Sequence, residues 1–182
     1  MAGQVVWITG LSGAGKTTLA KETVFLLQKH GLNPILLDGD PLRKILNSNV
    51  QNASEYDRAE RVKIALKYAH ICQLLSSQGF TVVIATISMF KEVYLWNQKN
   101  ISKYFEVYLK VPLKELRCRD PKNLYKRFYN GDLVNVAGLD LVIDEPTESN
   151  MILDFELQPT AWKNPTNLAS CLVQELKKND LI

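Results

Sequence analysis

The residues whose types and spacing imply chemistry most directly are a lysine and a threonine behind three glycines. Gly10-Leu11-Ser12-Gly13-Ala14-Gly15-Lys16-Thr17 fits G-x-x-x-x-G-K-[ST], the phosphate-cradling P-loop pattern. Residues 4–9 read as a short buried strand entering it, and residues 18–27 as a helix leaving it. A strand that turns on glycines and continues as a helix aims backbone N–H groups, and the partial positive charge of the helix start, at one spot. The expected contacts of a bound nucleoside triphosphate are Gly10, Ser12, Gly13, Ala14, Gly15, Lys16, Thr17 and Thr18. Lys16 is expected against the β- and γ-phosphates, and the Thr17 hydroxyl on Mg²⁺.

A second chemical element is Asp38-Gly39-Asp40, at the end of a buried strand predicted over 34–38. In open α/β sheets ligands bind at the carboxyl ends of strands. Alone, the triplet is a turn with a helix N-cap at Asp40. Beside a P-loop it supplies what phosphoryl transfer needs, carboxylates near Mg²⁺ and near the attacking hydroxyl.

The elements that must position these groups alternate. A long helix is predicted from residue 54 or 55 to 78, with Ile64, Tyr68, Ile71 and Leu75 on one apolar row and Ala65, Ala69 and Cys72 on another. Arg58 and Arg61 share a face of its early turns. A third strand is predicted over 80–87 with Ser88 at its carboxyl end, a helix over 90–102, a fourth strand over 104–111, a last strand over 151–157 and a final helix from 164 or 165. Such alternation implies a parallel sheet with right-handed crossovers. Residues 110–127 hold seven basic side chains against Glu115 and Asp120, whereas 132–156 hold seven acidic ones and no base. A basic segment after the fourth strand suits a lid over phosphates, about residues 117–131. Residues 132–150 read as a long irregular loop on the acceptor side.

At 182 residues and 46% hydrophobic, the chain has the size of one domain, 1–182, with a full core. A net charge of +3 gives no argument for a nucleic-acid partner and suits an anionic small substrate. The three cysteines, Cys72, Cys118 and Cys171, form no metal or redox motif and are expected as reduced, buried apolar residues of a cytoplasmic protein. The longest apolar run, near 82–87, is too short for a bilayer, and no signal-peptide pattern precedes the first strand, so no membrane partner is expected. His30 and His70 have no partner that would give them a chemical role.

The ordered series of motifs resembles the adenylylsulfate (APS) kinases over nearly the whole chain. The resemblance rests on the P-loop through Thr18, Asp38-Gly39-Asp40 with Arg43, Asp57-Arg58 with Glu60, Ile87-Ser88, Glu106-Val107-Tyr108 and Pro112-Leu113. It continues in Arg119-Asp120-Pro121-Lys122 with Leu124-Tyr125, then Gly138-Leu139-Asp140 and Pro146. It implies an α/β P-loop NTPase fold of three α/β/α layers, ATP with Mg²⁺ as donor, and the ribose 3′-hydroxyl of a small nucleotide as acceptor. It implies Asp40 nearest that hydroxyl, Asp38 with Thr17 at the metal, and Lys16, Asp38 and Asp40 as the catalytic set. Arg43, Arg58, Arg61, Ser88, Lys122 and Val136 fall on the acceptor side, and Arg119 in the lid on the donor. Dimerisation, common in that family, is carried over as an expectation.

The chain departs from the family pattern at its base pocket. The family's two phenylalanines that sandwich the acceptor adenine are matched here by Ala53 and Val136, its asparagine after Arg58-x-Glu60 by Arg61, and its Pro-Tyr-Glu by Val142-Ile143-Asp144. Stacking is worth about 1–3 kcal/mol per base, so loss of both rings argues for a different base. The leading expectation is a kinase acting on a non-APS nucleotide, such as cytidine diphosphoramidate in surface-polysaccharide modification. A divergent APS kinase, its adenine resting on Tyr56, Phe128 or Tyr129, is the alternative. A nucleotide-binding regulatory module without turnover is a third reading.

Overall fold

A computed structural model describes residues 3–46 and 57–182. Five parallel strands form one sheet in the order β2-β3-β1-β4-β5: β1 Val5–Gly10, β2 Ile35–Asp38, β3 Val82–Ala85, β4 Tyr104–Lys110 and β5 Met151–Asp154. β1 is wholly buried and pairs with β3 and β4, placing Ile8 opposite both Ala85 and Val107.

Strand alternation sorts the core into two sides. Val6 and Ile8 face one side, where they pack with Leu19, Ala20 and Leu27 of α1 (Lys16–Lys29) and Leu168, Leu172 and Leu176 of α7 (Pro165–Lys178). Val5 and Trp7 face the other, against Ile64, Ala65, Tyr68 and Ala69 of α3 (Arg58–Ser77) and Val93 of α4 (Lys91–Asn100). The result is the expected three-layer α/β/α sandwich. The two predicted rows of α3 are both used: Ile64, Tyr68, Ala65, Ala69 and Cys72 are buried, with Ile71 and Leu75 half-buried.

Several expectations need correction. β2 is a half-exposed edge strand rather than a buried one, because only β3 pairs with it. β3, β5 and α4 are shorter than the segments 80–87, 151–157 and 90–102 expected for them. Asp38-Gly39-Asp40 is more than a turn: α2 (Gly39–Leu46) starts inside it. Cys72 is buried, and burial pushes its thiol up to about 12, but Cys118 and Cys171 are exposed. The start expected for α3 at 54 or 55, and with it Ala53 and Tyr56, lies outside the described residues. Among those residues no helix is long and apolar enough to cross a membrane.

Two motifs have local structural causes. Asp57-Arg58-x-Glu60 is a capping box: Glu60 N donates to Asp57 Oδ1 at 2.8 Å, and Asp57 N donates to Glu60 Oε2 at 3.2 Å. The basic segment after β4 is a pair of short helices, α5 (Leu113–Arg119) and α6 (Leu124–Tyr129). Asp120 joins them by accepting from Leu124 N, Tyr125 N and Lys126 N at 2.8, 3.2 and 3.0 Å. The loop 132–150 is irregular apart from one bridge between Ala137 and Leu141.

The capping box gives the first prediction. Asp57→Ala should destabilise the fold by about 1 kcal/mol and lower the thermal midpoint by roughly 2–4 °C, read by circular dichroism. An unchanged midpoint would show that the box contributes nothing to folding.

Candidate active site

The phosphate loop leaves β1 with backbone geometry only glycine tolerates well. Gly10, Gly13 and Gly15 have φ of 147°, 79° and 95°. A Cβ at Gly10 would lie 2.7 Å from the Leu109 carbonyl, so a side chain there would force β1 and β4 apart. The loop is braced from α6, where the buried Tyr125 hydroxyl donates to Ser12 O at 2.9 Å. It is also met from the loop 132–150: Gly138, at φ 81°, would place a Cβ 2.9 Å from the Leu11 methyls.

Parallel pairing carries the carboxylates to this loop. Asp38 ends β2 opposite Ala85, which is opposite Ile8. The Thr17 hydroxyl donates to Asp38 Oδ2 at 2.6 Å, and Asp40 N donates to Asp38 Oδ1 at 2.9 Å. A hydroxyl and a carboxylate oxygen so placed suit a hard, oxygen-seeking cation such as Mg²⁺. Asp40 is bridged by two cations, Arg43 at 2.8 Å and Lys122 from the α5–α6 connection. Burial pushes the Asp40 carboxyl up, but its bonds with Lys122 and Arg43 outweigh this and hold it below its ordinary value. Lys16 is half-buried and donates to Leu11 O at 2.8 Å; desolvation first, then repulsion from Lys122, brings its ammonium down to about 8.

A cleft of about 1170 Å³ collects most of the expected residues: Ser12, Gly13, Gly15, Lys16, Thr17, Thr18, Asp38, Asp40, Arg43, Arg61, Ser88, Arg119 and Lys122. That exceeds the roughly 300–1,000 Å³ of an ordinary small-molecule site and suits two ligands end to end. Gly10, Ala14, Arg58 and Val136 do not line it. Gly10 and Ala14 lie beneath the loop's surface. Arg58 is committed elsewhere, to Glu92 at 2.8 Å and Asp144 at 2.6 Å. Val136 is buried, its N donating to Asp140 Oδ1 at 2.6 Å. Arg61 reaches this loop too, with Nη2 donating to Asn135 O at 2.5 Å; burial, then Arg43, lowers its guanidinium to about 10.

The sequence reading missed three cleft features. Phe90 lines the cleft, as does Tyr68, whose hydroxyl donates to Gly39 O at 3.0 Å and holds the start of α2. Thr86, in its wall, shares a hydrogen bond of 2.7 Å with the expected Ser88. Phe90 follows Ser88 at a strand's carboxyl end, which is the signal that could have marked it. Neither Phe128 nor Tyr129 lines the cleft.

A family model described as adenylylsulphate kinase matches residues 2–154. Cytidine diphosphoramidate kinase of Campylobacter jejuni subsp. jejuni is 39% identical over 150 residues, covering 82% of this chain and 85% of that protein. The adenylyl-sulfate kinase of Pseudomonas aeruginosa is 36% identical over 152 residues, covering 82% of this chain and 76% of its own. The Mycobacterium tuberculosis APS kinase, solved in complex with AMPPNP and APS, superposes with a TM-score of 0.85 at 29% identity, covering 97% of this chain and 98% of that one.

The lowered Lys16 ammonium sets a pH dependence. Free protein loses this charge as pH rises through about 8, and bound phosphates restore it. Nucleotide affinity should therefore fall from pH 7 to pH 9, and binding at the higher pH should take up a proton. Calorimetry in buffers of different ionisation enthalpy reads that uptake. Equal affinity and no proton uptake across the range would contradict it.

Proposed function

The chain belongs to the adenylylsulphate kinase family and is an ATP-dependent phosphotransferase, and from that premise we propose that it transfers the ATP γ-phosphate to the ribose 3′-hydroxyl of a small nucleotide other than APS. The preferred acceptor is a cytidine nucleotide with a modified diphosphate, of the kind for which the Campylobacter relative is named. The observation that carries this choice is Val136. An aliphatic residue, buried and outside the cleft, stands where the family resemblance leads one to expect a stacking ring. Arg61 joins Arg43 in the same wall and adds a fixed fork of donors for an anionic or hydrogen-bonded acceptor.

The residues divide the work by position. The loop backbone from Gly13 to Thr18 and the Lys16 ammonium hold the β- and γ-phosphates. Thr17 and Asp38 would hold Mg²⁺, which supplies charge neutralisation between those phosphates when bound. Asp40 accepts a hydrogen bond from the attacking hydroxyl. With its affinity for protons lowered by Lys122 and Arg43, it orients that hydroxyl rather than acting as a strong base. This suits phosphoryl transfer, where positioning and positive charge dominate. Arg119 and Lys122 close the lid over the donor and exclude water.

APS itself is the second reading, because an aromatic residue, Phe90, borders the cleft. ADP release by purified protein with ATP and Mg²⁺ separates the two. Turnover of cytidine diphosphoramidate with little on APS is expected, and efficient turnover of APS would overturn the acceptor choice. Lys16→Ala should lower kcat by about 10²-fold or more. Arg61→Asn should raise the KM of the cytidine acceptor by roughly tenfold while leaving that of ATP unchanged. ATP binding without turnover on any acceptor would favour a regulatory module.

A further inference from the structure

Asp40 has to be held where the sheet no longer holds it. The pairing of β2 with β3 ends at Asp38 opposite Ala85, and β2 has no other neighbour in the sheet. Asp40 comes two residues later, inside α2. Arg43 and Lys122 bond its side chain, but both line the cleft, where anionic ligands compete for them. Its backbone is fixed through the residue before it. Gly39 is buried, and a Cβ there would stand 3.0 Å from Thr86 Oγ1, 3.3 Å from Thr86 Cβ and 3.4 Å from Ala85 O. The turn therefore meets the end of β3 through a bare Cα. From the other direction the hydroxyl of Tyr68, a residue only 4% exposed, donates to Gly39 O at 3.0 Å.

Both supports lead back to the strand that carries the phosphate loop. Thr86 N donates to Ile8 O at 3.0 Å, two residues before Gly10. Tyr68 packs in the same core cluster as Trp7 of β1. The distance from a loop-held phosphate to Asp40 is thus set by what grips Gly39. We propose that Tyr68 is a positioning residue for phosphoryl transfer: its hydroxyl, by holding the Gly39 carbonyl, sets where Asp40 meets the acceptor hydroxyl. It acts through Asp40, and its own proton is not transferred. Misplacement of a reacting group by about 1 Å can cost 10²-fold, and a turn that keeps its contact with Thr86 should lose less. This rests on the orienting role given to Asp40 above, and not on the base of the acceptor.

Steady-state kinetics on the full chain test it in a double-mutant cycle, with ATP, Mg²⁺ and whichever of cytidine diphosphoramidate and APS the wild type turns over. Tyr68→Phe removes the hydroxyl and keeps the ring in the core. Folded by circular dichroism, it should lower kcat roughly tenfold. The acceptor KM, and the affinity for ADP with Mg²⁺ by calorimetry, should stay within about twofold of wild type. Asp40→Asn should lower kcat on its own. Adding Tyr68→Phe to it should then cost less than about twofold, because the group it acts through is already altered. A kcat of Tyr68→Phe within about twofold of wild type overturns the proposal. A raised acceptor KM with kcat unchanged also overturns it, since the hydroxyl would then be binding substrate directly. An equal loss of kcat in both backgrounds overturns it as well, by showing a general structural role. These failures leave the kinase reading standing, whereas wild-type protein that turns over neither acceptor overturns both.

Discussion

Everything near the cleft depends on a backbone that must curl tightly enough to aim its N–H groups inward. That curl needs φ in the left-handed half at Gly10, Gly13 and Gly15, and it needs β1 to end where α1 begins. The loop can only stand where its neighbours leave room, and the 2.7 Å approach of a would-be Gly10 Cβ to Leu109 O shows how little there is. β1 is therefore the central strand, its two faces apolar and both neighbours parallel. From that placement follow the positions of Asp38 and Asp40, which β2 delivers across β3 to the same edge.

Charge then organises the cleft around Asp40. One carboxylate ties α2, through Arg43, to the α5–α6 connection, through Lys122. Three cations converge near it, and desolvation, with repulsion from Lys122, weakens the hold of Lys16 on its proton. The same arrangement is what a bound polyphosphate would relieve, because its negative charge neutralises the cations that repel one another. On the far side, Arg58 with Glu92 and Asp144 ties α3, α4 and the acidic loop together, with Asp144 also accepting from Lys91 N at 2.9 Å.

The P-loop was fully legible because its chemistry is local: glycines, lysine and threonine at fixed offsets can do little else. The three layers were legible from alternation, since Val5 and Trp7 must face away from Val6 and Ile8. The edge position of β2 was not, because Ile35 to Asp38 is as apolar as a central strand and only pairing decides exposure. Arg58 shows a second limit. Its type and motif point to an anionic ligand, yet in the fold two carboxylates from distant segments claim it. Tyr68 falls on an apolar row of α3, and the meeting of its hydroxyl with Gly39 O is purely tertiary. The capping role of Asp57 and Glu60, by contrast, could have been read from their spacing alone.

The central claim is that Asp40 presents a ribose 3′-hydroxyl to the phosphate held by the loop. The position of the new phosphate tests this most directly. Product made from ATP and a turned-over nucleotide acceptor would be purified and examined by two-dimensional ¹H–³¹P correlation. The account predicts a new phosphomonoester signal correlated with the ribose 3′ proton. A correlation with the 2′ proton, or a phosphate added to the acceptor's existing phosphate chain, would contradict it.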